Sequence, residues 1–248
     1  MKVIRFNRRD QAIICQNENG PCPLLAVANC LLLQELMTIS PDRDMIMAEE
    51  LQNLVTATAI DRCENSSDPN VQRLCEDVLT ILPSLVNGLD LNVHFDSISH
   101  FEFTAELSVF DSLGIALYHG WLYDRDNEEV VKTIGDLSYN HLMDEIVKGK
   151  SVCGSVGEEG GAGDEGGTMK GEGSDGEAEQ KMMMKRSEVI SKFLDDTASQ
   201  LTYAGLLQLY SVMKDKEIAV FFRNNHFSTI YCIDGQLFSL VTDQGKYA

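Results

Sequence analysis

The sequence predicts an α+β fold, and two patterns along the chain predict it. Apolar residues recur at helical spacing in the first part of the chain, most clearly from Pro23 to Glu35. From Ile218 onward the sequence is instead rich in β-branched and aromatic residues, and the turn pair Asp234-Gly235 separates two such runs. Helices first and sheet last is an order typical of α+β domains, in which a helix bearing one group packs against a sheet bearing another.

The helices are predicted from caps and apolar spacing. Pro23 to Glu35 has the pattern of a buried helix, with proline in its first turn. Ser40-Pro41 and Asp68-Pro69 each resemble an N-cap followed by proline at the first helical position, so a helix is predicted after each. Shorter helical patterns occur from Ser138 to Val147 and on either side of Leu201.

The strands are predicted from alternation and from β-rich runs. Leu89 to Phe95 alternates with period two, as in a half-buried strand. Ile218 to Phe222, Phe227 to Ile233 and Leu237 to Val241 are apolar or β-branched runs, and the last two meet at Asp234-Gly235. An antiparallel sheet is therefore predicted at the end of the chain.

The domain organisation follows from length and from one biased segment. A chain of 248 residues with 44% apolar content can bury a sizeable core, and we predict a single catalytic domain over residues 1–248. Residues 154–180 hold ten of the nineteen glycines and eight acidic residues against one lysine. Such a segment cannot offset the entropy lost on ordering, so we predict a disordered surface insertion there.

Composition also excludes several functional classes. The formal net charge of −19 argues against a nucleic-acid partner, which needs clustered Lys and Arg. No apolar run is long enough to span a membrane. The seven cysteines lack a C-x-x-C pair and no signal peptide is evident, so reduced thiols in the cytoplasm or nucleus are expected. No Cys or His pair has the spacing of a zinc site, and neither a metal nor a cofactor is predicted.

Cys22 is the candidate nucleophile. It lies just ahead of the predicted helix, where unpaired backbone N–H groups and the helix dipole stabilise a thiolate. Pro21 and Pro23 fix the backbone on both sides, and Gly20 allows a substrate chain to approach closely. The alternative is a buried, inert thiol. A thiol between Gly-Pro and Pro is poorly placed to fill a core, which favours the nucleophile.

Gln16 is the candidate oxyanion donor. A thiolate that attacks an amide needs hydrogen-bond donors for the developing oxyanion. Gln16, six residues before Cys22, has a side-chain N–H that could act beside the backbone N–H of the nucleophile. Asn17 and Asn19 are alternative donors, and Gln16 is otherwise an ordinary polar loop residue.

The general base requires a histidine, and the chain has five. His226 differs from the rest because it follows the polar cluster Arg223-Asn224-Asn225 and opens the strand that leads into the hairpin. The other four are interpreted as solvated or core histidines: His94, His100, His119 and His141.

Asp243 is the candidate third member of the site. If Asp234 and Gly235 are the turn residues, Ile233 faces Gln236 and the same register pairs His226 with Asp243. Opposed side chains have Cβ atoms about 4.5–5.5 Å apart, close enough for a carboxylate to orient an imidazole. The alternative is a strand-end aspartate that caps a turn, and a single bulge would break this register.

These residues lie in segments that resemble the MINDY family of deubiquitinases, in family order over nearly the whole chain. The matching segments are 16–26, 88–93, 108–111, 117–122, 200–203, 221–229 and 241–245. The longest are Gln16-Asn17-Glu18-Asn19-Gly20-Pro21-Cys22-Pro23-Leu24-Leu25-Ala26 and Phe221-Phe222-Arg223-Asn224-Asn225-His226-Phe227-Ser228-Thr229. A match of this extent is more specific than any single motif.

The resemblance implies a papain-like cysteine peptidase that hydrolyses isopeptide bonds in polyubiquitin. It implies a preference for long chains of the proteasome-targeting lysine linkage, trimmed from the distal end. It assigns the nucleophile to Cys22, the general base to His226 and the oxyanion donor to Gln16. Asp243 is not supplied by the resemblance and rests on the hairpin register.

The resemblance also implies ubiquitin contacts at Leu91, Trp121 and Phe222. Ubiquitin presents an apolar patch with a basic rim, which an acidic enzyme with exposed large side chains would complement. Each of the three residues has a core position as its alternative.

Two departures from the family and two rival functions accompany this resemblance. The family's domain usually continues past the segment matching 241–245, whereas this chain stops at Ala248, and the Gly- and Glu-rich insertion is its own.

The main alternative to a deubiquitinase is a catalytically inactive polyubiquitin-binding module with the same fold. The other is a peptidase for a different ubiquitin-like modifier.

Overall fold

The computed structural model describes residues 1–16, 21–66, 79–156 and 173–242. Within these ranges the strands are β1 (Lys2–Phe6), β2 (Arg9–Ile13), β3 (Ala116–His119), β4 (Ile218–Arg223), β5 (His226–Ile233) and β6 (Gln236–Ser239). The helices are α1 (Cys22–Leu33), α2 (Ala48–Asn65), α3 (Ser108–Leu113), α4 (Glu128–Ile134), α5 (Tyr139–Val156), α6 (Gly173–Asp196) and α7 (Tyr203–Val212). Short 3₁₀ helices span Leu82–Val86 and Ala105–Leu107.

The main sheet has four strands in the order β3-β4-β5-β6. β4, β5 and β6 are antiparallel neighbours, as predicted. β3 pairs with β4 in parallel, so the sheet as a whole is mixed, and the predicted antiparallel part is formed by β4, β5 and β6. β3 has four residues and comes from a distant part of the chain, and no local pattern reveals such a partner. β1 and β2 form a separate hairpin at the start of the chain.

Helices cover both faces of this sheet, and strand alternation decides which residues each face receives. On one face α1, whose residues from Pro23 to Leu33 are all buried, packs against β4 and β5. On the other face, Leu209 of α7 packs with Ala219 and Ile230, and so does Met213, which directly follows this helix. The predicted helix from Pro23 is thus confirmed, and its near-continuous apolar sequence reflects burial on almost every side.

Two-residue turns join the last three strands. Asp234 and Gly235 have φ angles of 49° and 69°, as the I′ turn of a hairpin requires, and Ile233 faces Gln236 as predicted. Asn224 and Asn225, with φ angles of 50° and 55°, make the equivalent turn between β4 and β5. That turn was not predicted, although Asn is favoured at positive φ.

Two predicted elements are wrong. Leu89 to Phe95 is extended, with its alternate apolar residues buried, but it makes only the isolated bridges Val93 to Phe101 and His94 to Ser138. Alternation records which side chains point inward and does not supply a neighbouring strand. Ser40-Pro41 begins a turn, with Arg43 N–H donating to the Ser40 carbonyl at 3.3 Å, and the next helix begins only at Ala48.

Several other predictions concern residues that lie partly or wholly outside the described ranges. α5 extends to Val156 and α6 begins at Gly173, so the helices enter the predicted insertion from both sides and its boundaries of 154–180 are too wide. Residues 157–172, Asp68-Pro69 and Asp243 lie outside the described residues.

Cys63 is in a disulfide, contrary to the expectation of reduced thiols. The sequence could not predict this bond, because the spacing of cysteines along the chain does not show which thiols meet. No helix in the described ranges has the length and apolar character of a membrane span.

Candidate active site

Cys22 is the first residue of α1. Leu25 N–H donates to the Pro21 carbonyl at 3.0 Å, which closes the first turn, and no side chain caps the helix. The first turn of a helix directs N–H groups outward and places its positive dipole end there, so hydrogen-bond donors are available beside Cys22. Cys22 is half-buried, so its thiol remains accessible at the edge of the core.

Cys30, on the same helix, has the opposite character. It is fully buried beneath the sheet, and burial raises its pKa to about 12. Its thiol therefore stays protonated and inert at neutral pH. The structure thus separates two cysteines of one helix into a core residue and a surface-accessible candidate nucleophile.

Contacts between α1 and the sheet place Cys22 and His226 at the same end of the domain. Thr229 Oγ1 of β5 donates to the Ala26 carbonyl at 3.1 Å, and Gln34, just after α1, donates to the Ile218 carbonyl at 3.4 Å. Ile218 pairs with Tyr231 of β5. α1 and β5 therefore run in the same direction.

Both elements also begin at a similar level. Cys22 lies four residues before Ala26, which is about 6 Å along a helix. His226 lies three residues before Thr229, which is about 10 Å along a strand. The first residue of the helix and the first residue of the strand thus lie at one edge of the sheet.

The loop between α6 and α7 holds the turn that precedes His226. Gln200 Oε1 accepts a hydrogen bond from Asn224 N–H at 2.8 Å, and Arg223 Nε donates to the Ser199 carbonyl at 2.7 Å. These contacts fix the backbone next to the histidine, while the His226 side chain itself is exposed. The predictions had not singled out Gln200 for this role.

His226 lines a groove of about 700 Å³ on the α7 side of the sheet. Strand alternation puts His226 on the same face as Ser228 and Ile230, whereas Thr229 faces α1. The groove is mostly apolar, and Leu201, Leu209, Leu237, Phe238 and Val241 contribute to its walls. Such a channel suits an extended peptide or an apolar protein surface.

Gln16 is held near the same edge by its backbone. Its N–H donates to the Thr242 carbonyl at 2.8 Å. Two residues earlier, both backbone groups of Ile14 bond to the Asn29 carboxamide of α1, at 2.8 and 3.0 Å. The segment that carries Gln16 is therefore attached to the helix that begins at Cys22. Asn29 was not identified as a functional residue, although an amide inside an apolar helix is a visible signal.

The structure brings these segments together without joining their reactive atoms. No hydrogen bond links the Cys22 thiol to the His226 imidazole among the contacts of the described residues. The thiol packs on the α1 side of the sheet, whereas the imidazole lines the groove on the other side. The predicted β5–β6 register is observed as far as the pair Ile230 and Ser239. The pairing of His226 with Asp243 lies beyond that pair and stays a prediction.

The three predicted ubiquitin contacts lie in the core. Leu91, Trp121 and Phe222 are only 7%, 5% and 7% exposed. Trp121 packs edge-on against Phe95 at 5.1 Å, and its Nε1 donates to Thr197 Oγ1 at 2.7 Å. Contact with ubiquitin at these positions would require surface that this conformation does not expose, so it stays a prediction.

Comparison with known proteins gives a match over the whole chain. Residues 1–248 match the family described as MINDY deubiquitinase. The chain is 39% identical to bovine "Ubiquitin carboxyl-terminal hydrolase MINDY-1" over 249 residues, which cover 99% of this chain and 48% of that protein. It is 38% identical to human MINDY-1, with the same coverage, and 38% identical over 250 residues to human MINDY-2, of which it covers 36%. The chain thus spans about half the length or less of these relatives.

Proposed function

Because the chain belongs to the MINDY deubiquitinase family, we propose that it is a thiol-dependent ubiquitin hydrolase with Cys22 as its nucleophile. The observation that carries the proposal is the shared edge of the domain at which α1 begins with Cys22 and β5 begins with His226. A nucleophile on a helix and a base on the sheet beneath it is also the basis of the papain-like arrangement, which we propose for this chain.

The proposed reaction has two stages. His226 takes the proton of the Cys22 thiol, and the resulting thiolate attacks the carbonyl carbon of the ubiquitin C-terminal glycine. The isopeptide C–N bond then breaks as His226 passes that proton to the leaving lysine amine. Water, deprotonated by His226, then hydrolyses the thioester and releases the ubiquitin carboxylate and the thiol. The Gln16 side chain and the Cys22 N–H stabilise the oxyanion in both stages.

This reaction requires the His226 imidazole to move from the groove face toward Cys22. His226 is exposed and follows a two-residue turn, so its side chain can reorient without disturbing the core. We propose that bound ubiquitin favours the catalytic orientation, and that Asp243 then orients the imidazole. His226→Ala should abolish turnover and Asp243→Ala should reduce it.

The proposed substrate is polyubiquitin of the proteasome-targeting lysine linkage, trimmed from the distal end of long chains. The resemblance to the family supports this choice, and the net charge of −19 suits the basic rim of ubiquitin. The apolar groove beside His226 is a suitable place for part of the substrate. We further propose that residues 1–248 form one catalytic domain that acts in the cytoplasm or nucleus.

The test uses ubiquitin with a C-terminal electrophile, followed by linkage-defined ubiquitin dimers to pentamers. The wild-type chain and Cys232→Ala, which removes a buried thiol of β5, should form a covalent adduct, and Cys22→Ala should not. The wild-type chain should also shorten the proteasome-targeting pentamer faster than the dimer. Adduct formation by Cys22→Ala would exclude Cys22 as the nucleophile.

A catalytically inactive polyubiquitin-binding module is the second candidate. The observation that favours it is the separation of the Cys22 thiol and the His226 imidazole on opposite sides of the sheet. Polyubiquitin binding with neither adduct formation nor chain shortening would support this candidate. Reaction with the electrophile on another ubiquitin-like modifier alone would instead indicate a different substrate.

A further inference from the structure

We propose that Asn29 and Thr229 are positioning residues that hold the nucleophile, oxyanion-donor and base segments together as one unit. The inference rests on the proposed hydrolase function. Both residues are polar, both are buried, and both use their side chains to join α1 to another segment of the site.

Asn29 joins α1 to the segment that carries Gln16. It lies about two turns after Cys22, fully buried in an otherwise apolar helix. Its Nδ2 donates to the Ile14 carbonyl at 3.0 Å and its Oδ1 accepts from Ile14 N–H at 2.8 Å. β2 ends at Ile13, so this carboxamide replaces the strand partner that Ile14 lacks. The backbone two residues before Gln16 is thereby fixed relative to the nucleophile helix.

Thr229 joins the same helix to the strand of the general base. Its Oγ1 donates to the Ala26 carbonyl at 3.1 Å, one helical turn after Cys22 and three residues after His226. Its own carbonyl accepts Leu240 N–H at 2.8 Å. One residue therefore connects α1, β5 and the chain that follows β6.

A backbone contact completes a closed series of hydrogen bonds between these segments, which we call the circuit. Gln16 N–H donates to the Thr242 carbonyl at 2.8 Å, two residues beyond Leu240. Hydrogen bonds thus lead from α1 through Ile14 and Gln16 to the end of β6, and from there through Thr229 back to α1. Because a displacement of about 1 Å within a catalytic site can reduce the rate about 100-fold, breaking this circuit should impair turnover.

Steady-state cleavage of a fluorogenic ubiquitin C-terminal substrate tests the proposal below the unfolding temperature of every variant. Thr229→Val keeps shape and strand propensity but loses the hydroxyl, and Asn29→Leu removes both carboxamide contacts. Each should lower kcat by about 10- to 100-fold with KM within about twofold. Thr229→Ser, which keeps the hydroxyl, should retain kcat within about threefold of the wild type.

Two further measurements separate positioning from loss of fold. Ser112→Ala removes a buried hydroxyl that donates to the Val109 carbonyl in α3, away from the site, and should leave kcat unchanged. In a Gln16→Ala background, Asn29→Leu should cause little additional loss, because its effect acts through Gln16. Wild-type kcat in folded Thr229→Val and Asn29→Leu, or equal losses in Thr229→Ser and Thr229→Val, would overturn the proposal.

Hydrogen exchange tests the circuit independently of catalysis. Asn29→Leu should speed exchange of the Ile14 and Gln16 amides while the amides of α1 keep their protection. If the wild-type chain itself shows no turnover, the proposed function fails. Unchanged exchange at Ile14 and Gln16 would then still overturn the positioning role of Asn29.

Discussion

At the scale of single residues, burial distinguishes His119 from the other histidines. His119 is 1% exposed at the end of β3, and its Nδ1 accepts the Trp121 N–H at 3.2 Å. Burial lowers the pKa of His119 to about 4, so the imidazole is neutral at physiological pH. His226, in contrast, is exposed, so its imidazole is accessible to a substrate. Interpreting His119 as a core histidine is consistent with this burial.

The His119 pKa predicts a loss of stability in acid. Its pKa in the folded chain is below the value of about 6.5 expected when unfolded, so the unfolded chain binds the proton more tightly. The neutral imidazole stabilises the fold above pH 6.5, and this contribution is lost as the pH falls toward 4. At pH 5 the loss is about 2 kcal/mol, which urea unfolding at pH 7 and pH 5 would measure.

His119→Gln is the comparison for this measurement, because it removes the titrating group from the site. Its free energy of unfolding should fall less than that of the wild type between pH 7 and pH 5. The same fall in both proteins would show that His119 does not contribute.

Truncation of Leu91 distinguishes a role in core packing from a role in contacting ubiquitin. Because Leu91 is only 7% exposed, Leu91→Ala should lower the free energy of unfolding by about 2–5 kcal/mol through lost burial and an added cavity. Phe103→Ala is the control, because Phe103 is 88% exposed and its truncation should change stability by less than about 0.5 kcal/mol. Urea unfolding measures both. A higher KM for polyubiquitin with unchanged stability in Leu91→Ala would instead support a substrate contact.

At the scale of elements, the junction of α7 with β3 shapes the groove beside His226. Thr202 caps α7 by accepting Gly205 N–H at 3.1 Å, and its own N–H donates to the Gly120 carbonyl at 2.9 Å. A Cβ built on Gly205 would lie 2.0 Å from the Gly120 carbonyl oxygen. Only glycine permits this approach of helix to strand, so residue 205 determines how closely α7 covers the sheet.

Gly205→Ala should therefore destabilise the domain by about 3 kcal/mol, because backbone must move to relieve the contact. Gly176→Ala in α6 is the matched control: no atom lies within 4 Å of its added Cβ, and alanine should stabilise the helix by about 0.5–1 kcal/mol. Urea unfolding and circular dichroism measure both changes. Equal stability of the two variants would contradict the contact at Gly205, and no gain for Gly176→Ala would argue against helix in that part of the predicted insertion.

At the scale of the whole molecule, net charge should influence encounters with substrate. The chain carries −19 at neutral pH, whereas the apolar patch of ubiquitin is rimmed by basic residues. Raising the ionic strength from about 0.05 to 0.5 M shortens the Debye length to roughly a third. KM for polyubiquitin should then increase several-fold while kcat changes little, as steady-state assays across a salt series would show. A KM independent of salt would exclude electrostatic attraction as a source of affinity.

Much of the fold and the identity of the site residues could be predicted from local pattern. The apolar helix from Pro23, the β-rich end of the chain and the Asp234-Gly235 turn depend on residues close in sequence, whose propensities and spacing are visible directly. The helix start at Cys22 follows from the same local pattern. Local pattern also made Gln16 and His226 catalytic candidates, the family resemblance assigned them the same roles, and these roles remain predictions about activity.

Only the tertiary structure decided how these parts meet. The pairing of β3 with β4 and the lack of a neighbouring strand beside Leu89 to Phe95 both depend on distant parts of the chain that have no signature in sequence spacing. The face of the sheet occupied by His226, and the attachment of Ile14 to Asn29, likewise appear only when the chain is folded. The physical reason is that local propensity specifies the form of an element, whereas burial and long-range hydrogen bonds specify its partners.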